Sequence, residues 1–443
     1  MTGSMILKYI IIFLRDPFAP QVWSLIVTFI PFVIFLEIPV YAFILAGISK
    51  YYLRKIGSRP YSSPVSPAVS CIVTCYSEGQ GAAATVRCLA EQLYSGFIEI
   101  IPVVDGASAN IETYNAVMKM AAYARSMPNR RVVVLPKWQR GGRVSSLNAG
   151  LAVASGEIVM ALDGDTSFDN DMVAKAARHF SDKNVVGVAG ALRVMNARKN
   201  LLTRIQALEY MMSIHASKTG LSEFNVVNNI SGAFGIFRKS FLEIISGWSS
   251  GTAEDLDITL RIKNYFGRYP ALKIVFDPEA IGHTEVPETV LGLFRQRLRW
   301  DGDLYYLYFR KHSKTFDIRL MGLGNYILQL WTGLMFQVFM PLLIIVYMSY
   351  ICFVYSIHKI IFIFSIVYVF YLFVSTVFYF AFVLLVSERA KEDLKLLPVL
   401  PIFGLYLFFI RLVNGFAIMW EFITRSHLDS SMAPWWVLKK SKF

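Results

Sequence analysis

The sequence predicts an α/β domain with a mostly parallel sheet, joined to a bundle of membrane helices. Two observations predict it. From about residue 67 to 315, short apolar runs alternate with amphipathic helical patterns. On both sides of that region lie apolar runs long enough to cross a bilayer. Composition agrees: 55% of the 443 residues are hydrophobic and mean hydropathy is +0.48, well above an ordinary soluble domain. The net charge of +13 suits nucleic acid, anionic lipid or anionic substrates. No zinc-finger spacing or repeated basic-aromatic stretch points to nucleic acid, so a membrane and a phosphorylated ligand are the expected partners. The four cysteines, Cys71, Cys75, Cys88 and Cys352, form no CxxC pair and meet no His cluster; they read as free thiols.

In chain order, segment 5–14 is too short to span readily and reads as interfacial. It is also too short and badly flanked for a cleaved signal peptide. Residues 22–48 read as a spanning helix whose C-terminal end, followed by Lys50, Arg54 and Lys55, is cytoplasmic. Glu37 lies mid-span, where a carboxylate is costly, so it is expected to face protein. Strands are expected at 68–75, 97–104, 131–135 and 157–162, with helices at 82–93 and 114–126 between them. That alternation predicts a parallel sheet whose ligands sit at the carboxyl ends of its strands. Residues 326–355 and 360–386 read as two further spans, followed by a charged cytoplasmic loop at 387–395. The last apolar stretch, 396–423, carries Arg411, Asn414 and Glu421 and precedes a Lys-rich tail. Charge placement therefore favours an interfacial or re-entrant helix pair there over a fourth span. The expected division is 1–55 for the N-terminal membrane part, 56–315 for the catalytic domain and 316–443 for the membrane and interfacial helices.

Three acidic sites lie at strand-like ends. Asp105 follows Val103-Val104; Asp163-Gly164-Asp165 follows Met160-Ala161-Leu162; Glu254-Asp255-Leu256-Asp257 opens an expected helix at 256–263. A D-x-D at a strand end suits a hard divalent cation, Mg²⁺ or Mn²⁺, with room left for phosphate oxygens. The alternative is a turn or cap role. Asp255 is the candidate general base, for an attacking hydroxyl needs a carboxylate in reach. Glu254 and Asp257 beside it would raise its pKa. An acidic first helical turn serves the helix dipole equally well, and spacing alone does not decide which carboxylate takes the proton. Gln296, Arg299 and Trp300 fall at i, i+3 and i+4, on one face of a helix just upstream of the membrane runs. Such a face can grip a phosphate and stack on a sugar; an amphipathic interfacial helix also carries Arg and Trp.

Taken in order, Asp105, Asp163-x-Asp165, Glu254-Asp255 and Gln296-x-x-Arg299-Trp300 resemble the D, DxD, (T)ED and QxxRW signature of processive family-2 glycosyltransferases. That group includes cellulose, chitin, hyaluronan and poly-N-acetylglucosamine synthases. The resemblance implies a GT-A nucleotide-sugar-binding domain on a membrane channel. It also implies inverting transfer from a nucleotide-diphospho sugar to the terminal hydroxyl of a growing chain. It places Thr74, Tyr76, Glu78 and Asp105 at the nucleoside, and Asp163 and Asp165 at the pyrophosphate and its metal. Asp255, with Glu254, is placed at the base. Gln296 and Arg299 fall at the pyrophosphate, Trp300 at the acceptor sugar, and Ser231, Gly232 and Phe234 in the acceptor-side loop. The run from Gly141-Gly142-Arg143 to Gly150 resembles another family segment, with Arg143 where a lysine is usual. Ala253 stands where the family has the threonine of TED. His283 has two readings, a contribution to the metal site and a structural histidine near a strand end, of which the second is favoured.

The function expected is a processive polysaccharide synthase that also exports its product, most simply a β-linked N-acetylglucosamine-type polymer made from a UDP-sugar. Alternatives are a non-processive transferase making a lipid-linked sugar, and a transporter or scaffold with an inactive transferase domain. The expected setting is a bacterial inner membrane, multi-pass, with the catalytic domain cytoplasmic. No appended regulatory domain is visible, so control would come from a separate regulatory or export subunit.

Overall fold

The computed structural model describes residues 36–57, 66–249 and 253–424, together with Asp16 and Pro20. The expected interfacial segment 5–14 lies outside the described residues, as does most of the expected span 22–48. The described part of that span belongs to a helix, Ile38–Gly57.

Nine strands form one sheet: β1 (Val69–Cys75), β2 (Ile98–Asp105), β3 (Arg130–Val132), β4 (Leu135–Lys137), β5 (Ile158–Asp163), β6 (Ser167–Phe168), β7 (Val185–Val194), β8 (Phe234–Arg238) and β9 (Lys273–Thr284). Their order is β3-β2-β1-β5-β8-β7-β9-β6, with β4 also on β2. The half read from sequence, β2-β1-β5, is parallel as expected. The other half is mixed, because β8 runs antiparallel to both β5 and β7. β1 and β2 are apolar and buried on both faces, which is how a central parallel strand reads. The single strand expected at 131–135 is two strands. The break between Val132 and Leu135 lies opposite Pro102 of β2 and its neighbour Ile101. A proline has no N–H to give to a ladder, so pairing stops and restarts there.

Helices cover both faces of the sheet, over two apolar cores. Helix Gly142–Val153 lies so close to β1 that a Cβ on Gly150 would come within 2.4 Å of Ile72. That contact fixes the N-terminal turn of the helix beside the strand ends. A third apolar cluster unites the sheet domain with the membrane helices, through the Ile38–Gly57 helix and the long bent helix of residues 201–222.

Among the described residues, three helical stretches, Leu323–Val354, Phe364–Leu385 and Ala390–Thr424, are long and apolar enough to cross a membrane. The last corrects the expected helix pair: after a short turn, Leu400–Thr424 is one continuous helix of 25 residues. The cation that argued against it is not bare. Arg411 forms an ion pair with Glu37, the carboxylate expected to face protein, and Tyr371 donates to the same Glu37 oxygen at 2.6 Å. A paired charge inside a bundle escapes most of the cost of a lone one. The charged loop after the second stretch is tied to the sheet domain. Arg193 of β7 makes a bidentate pair with Asp393, Arg389 pairs with Asp169, and His283 holds the other Asp169 oxygen at 2.9 Å. Burial would raise the Asp169 pKa, but the hydrogen bonds from His283 and Arg389 prevail and hold it at about 2. His283 is thus structural, as read from sequence.

Candidate functional site

Sheet register assembles the site. Thr74 of β1 lies opposite Asp163 of β5 and Val103 of β2, so the carboxyl ends of three adjacent parallel strands present Thr74, Asp105 and Asp163 together. Antiparallel β8 begins at Phe234, opposite Leu162, which brings the preceding turn, Ser231 to Ala233, to the same edge. Helix Glu254–Lys263 starts beside that turn, and helix Val290–Tyr306 brings Gln296, Arg299 and Trp300 across from it.

These elements surround one cavity of about 1000 Å³. Thr74, Tyr76, Glu78, Asp105, Asp163, Asp165, Ser231, Gly232, Glu254, Asp255, Gln296, Arg299 and Trp300 all line it. Its walls continue into the membrane helices through Gln329, Thr332, Gln337 and Asn414. Phe234 is the exception among the expected residues. It is fully buried, edge-on to Phe168 at 5.2 Å, because strand alternation turns it into the core; Ala233 lines the cavity instead.

Arg143 is the hub that sequence reading noted only as a replacement for lysine. Its Nε donates to Glu254 at 2.7 Å, one terminal nitrogen to Thr74 Oγ1 at 3.0 Å and to Asp163, and the other to the Gly232 carbonyl at 2.6 Å. One guanidinium therefore ties both strand ends, the Ser231–Ala233 turn and the acidic helix start. A lysine has no such planar fork to offer four acceptors. Burial raises the Glu254 pKa, and Arg143 opposes that rise. Burial raises Asp165 as well, and the charge of Asp163 adds to it.

Asp105 organises the turn ahead of Arg143. Its carboxylate accepts from Lys137 Nζ at 2.7 Å and from the Gly141 and Gly142 amides, each at 2.9 Å. Gly142 adopts φ +79°, a left-handed conformation that favours glycine. Nearby, the Arg140 guanidinium lies 4.4 Å over the Tyr76 ring. Burial pushes the Glu78 carboxyl up to about 7, against hydrogen bonds from its own amide and that of Tyr76.

Asp255 Oδ2 accepts from Asn229 Nδ2 at 3.1 Å and the Gly232 amide at 3.3 Å, while Oδ1 accepts from the Leu256 amide at 2.7 Å. The residue before this pair, Ala253, sits at φ +41°, a left-handed turn that is strained for a residue with a Cβ. Asp257 is not the neighbour expected to influence Asp255. It is fully buried behind the helix, bonded to Arg261, Lys311 and His312, which hold its pKa down despite burial. Asp255 and Asp257 are two residues apart, a rotation of about 200° along a helix, so their side chains face nearly opposite ways.

On helix Val290–Tyr306, Arg297 pairs with Glu209, one terminal nitrogen donating to both carboxylate oxygens at 2.8 and 2.7 Å. Its guanidinium also lies over the Trp300 ring, 5.0 Å from the centroid, and Trp300 lines the cavity. Among the described residues, buried Gln296 Oε1 has no hydrogen-bond partner.

Among the described residues no cluster of three or more His, Cys, Asp or Glu side chains is set to hold a metal. The donor set still fits a hard cation: Asp165 and Asp163 supply two carboxylates at a strand end, and Mg²⁺-type sites commonly complete their shell with water and substrate phosphate.

Fold and cavity together define a glycosyltransferase of the GT-A type. The family described as glycosyl transferase family group 2 matches residues 158–386, and glycosyl transferase family 2 matches residues 70–245. The chain belongs to glycosyl transferase family group 2. It is similar to an N-acetylglucosaminyltransferase of Neorhizobium galegae, with 29% identity over 269 residues, 57% of this chain and 60% of that protein. It is similar also to the poly-beta-1,6-N-acetyl-D-glucosamine synthase of Staphylococcus epidermidis, with 30% identity over 233 residues, 52% of this chain and 53% of that one. The chain thus matches between half and two thirds of these relatives' length. A mannosyltransferase from Pyrobaculum calidifontis, solved in complex with GDP-Man and Mn²⁺, shares the fold. Its TM-score is 0.52 at 16% identity, covering 87% of this chain and 99% of that one.

Proposed function

We propose that this chain is a processive, inverting glycosyltransferase. It polymerises N-acetylglucosamine from UDP-N-acetylglucosamine and passes the polymer into the membrane bundle, with its catalytic domain on the cytoplasmic side. The observation that carries the reading is the single cavity running from Asp163 and Asp165, past Asp255 and Trp300, to Gln337 and Asn414 of the membrane helices. A separate donor pocket with no opening to those helices would suit a single transfer instead. The similarity to N-acetylglucosamine transferases supports the sugar.

In this reading Asp255 takes the proton of the acceptor hydroxyl. The oxygen then forms a bond to the anomeric carbon as the bond to the diphosphate breaks on the opposite face, and UDP leaves with the electron pair. Asp163 and Asp165 hold the divalent cation, which when bound draws charge off the departing diphosphate. Arg299 adds a phosphate contact and Trp300 stacks on the acceptor sugar. Asn229 and the Gly232 amide orient the base. Thr74, Tyr76, Glu78 and Asp105 face the nucleoside, with Arg140 over Tyr76 beside them.

The test is to supply membranes containing the protein with labelled UDP-sugars one at a time and to size the product. UDP-N-acetylglucosamine should enter long polymer, and Asp255→Asn should lower that incorporation by about 10²–10⁴-fold. Undiminished transfer by Asp255→Asn removes the base assignment. A single sugar transferred to lipid from every donor removes processivity.

A further inference from the structure

Lys218 is a buried cation that nothing above uses. It lies on the segment Ser217–Ser222 of the long bent helix and is only 4% exposed. The other side of that segment is closed off: the Ile38–Gly57 helix approaches so tightly that a Cβ on Gly47 would come within 2.1 Å of the Gly220 carbonyl oxygen. What opening Lys218 retains is into the cavity, where it lines the wall together with Asp255, Asn228 and Asn229. Among the described residues its ammonium has no hydrogen-bond or ion-pair partner; its electrostatic neighbour is Asp255.

An ammonium taken out of water without partners is expensive, and such a group normally gains a partner or gives up its charge. Burial does draw the Lys218 pKa down, to about 8, with Asp255 opposing the fall. A structural lysine in this place would be bonded, as fully buried Lys263 is to Gln329 at 2.9 Å. Asp255 cannot absorb all the donors of Lys218, since both its oxygens already accept from Asn229, Gly232 and Leu256. The neighbours Asn228 and Asn229 add amide groups to the same wall, which is the chemistry of a sugar-binding surface.

We propose that Lys218 is an acceptor-binding residue, whose ammonium donates to an oxygen of the terminal acceptor sugar and holds its attacking hydroxyl against Asp255. The proposal rests on Asp255 being the base of the reaction described above. The nucleoside part of the donor is assigned above to Thr74, Tyr76, Glu78 and Asp105, so Lys218 is expected to act on the acceptor and leave UDP binding intact.

The experiment uses the full chain in detergent and compares Lys218→Met and Lys218→Gln with Asp255→Asn. UDP titration reads the donor site. Elongation of a β-1,6-linked N-acetylglucosamine oligosaccharide reads the acceptor site, and thermal unfolding reads the fold. Both Lys218 variants should bind UDP within twofold of wild type and lose at least tenfold in kcat/KM for the oligosaccharide. Lys218→Met should unfold at the same or a higher temperature, since an unpaired buried charge has been removed. Unchanged oligosaccharide kcat/KM in both variants, with transfer abolished in Asp255→Asn, overturns the Lys218 proposal alone. A lower unfolding temperature with a parallel loss of UDP affinity makes Lys218 structural and also overturns it. Transfer that survives Asp255→Asn overturns the reading on which it rests.

Discussion

The two ends of the cavity are built from opposite kinds of chemistry. At the strand ends, charges are dense and cross-linked: Asp105 to Lys137 and two amides, Asp163 and Glu254 to Arg143. Toward the membrane, beyond the Arg297–Glu209 pair, the wall gains amides and a hydroxyl from Gln329, Thr332, Gln337 and Asn414. Under the proposed function the difference matches two tasks. A nucleoside diphosphate is small and highly charged, so a rigid, pre-paired electrostatic cradle binds it without reorganising. A neutral polymer must be held and also released, which favours many weak hydrogen bonds over a few strong ones.

The comparison can be broken at its charged end first. Chelation of divalent cations should lower transfer by about a thousandfold, the several kcal/mol that a Lewis acid contributes, with Mn²⁺ or Mg²⁺ restoring it. Activity that is indifferent to EDTA would leave cationic side chains such as Arg299 and Arg143 to supply the counter-charge and shift the role of Asp165. Arg143→Ala should be next in size. It leaves Glu254 and Asp163 without their cation, at a cost of about 3–5 kcal/mol in stability, read by denaturant unfolding. Arg143→Lys should fall between, because it retains charge and loses the fork.

At the polar end the effects should be smaller and of another kind. Asn414→Leu or Gln337→Leu removes one neutral hydrogen-bonding group, worth about 1 kcal/mol. Each should shorten the polymer, measured by gel sizing, and leave UDP affinity unchanged. A matching loss of UDP affinity would mean that the two ends are not separable.

The last expected effect is on stability alone and rests on Glu78, which burial pushes from 4.5 to about 7. A carboxyl raised in the folded state contributes stability that is complete below pH 4.5 and is lost as pH rises through 7. Glu78→Gln removes that dependence. Its unfolding temperature should match wild type near pH 4.5 and exceed it at pH 8, with an upper bound of about 3 kcal/mol. Parallel curves across that range would show that Glu78 is not desolvated.

Periodicity made the parallel half of the sheet legible, since β1, β2 and β5 are continuous apolar runs ending in Thr74-Cys75, Asp105 and Asp163. The other half was not legible, because β8 and β9 lie far apart in sequence and their direction depends on which neighbour they meet. The split between β3 and β4 had a visible cause in Pro102, but only pairing shows which strand it faces. Similarly, Phe234 and Asp257 sat beside site residues in sequence and face away from them in space. Arg143 carried a sequence signal, a guanidinium where a lysine is usual, yet its four acceptors come from four separate segments.

By itself the sequence singled out which residues are candidates to carry chemistry, because a carboxylate at a strand end or an amphipathic turn is a local matter of periodicity and residue type. Tertiary structure decided which of them are neutralised, which are left facing the cavity, and whether Arg411 can lie in an apolar helix. Those outcomes depend on desolvation and on partners such as Glu37, 374 residues away in the chain. A charge's energy is set by what surrounds it in space, and a linear sequence does not state its surroundings.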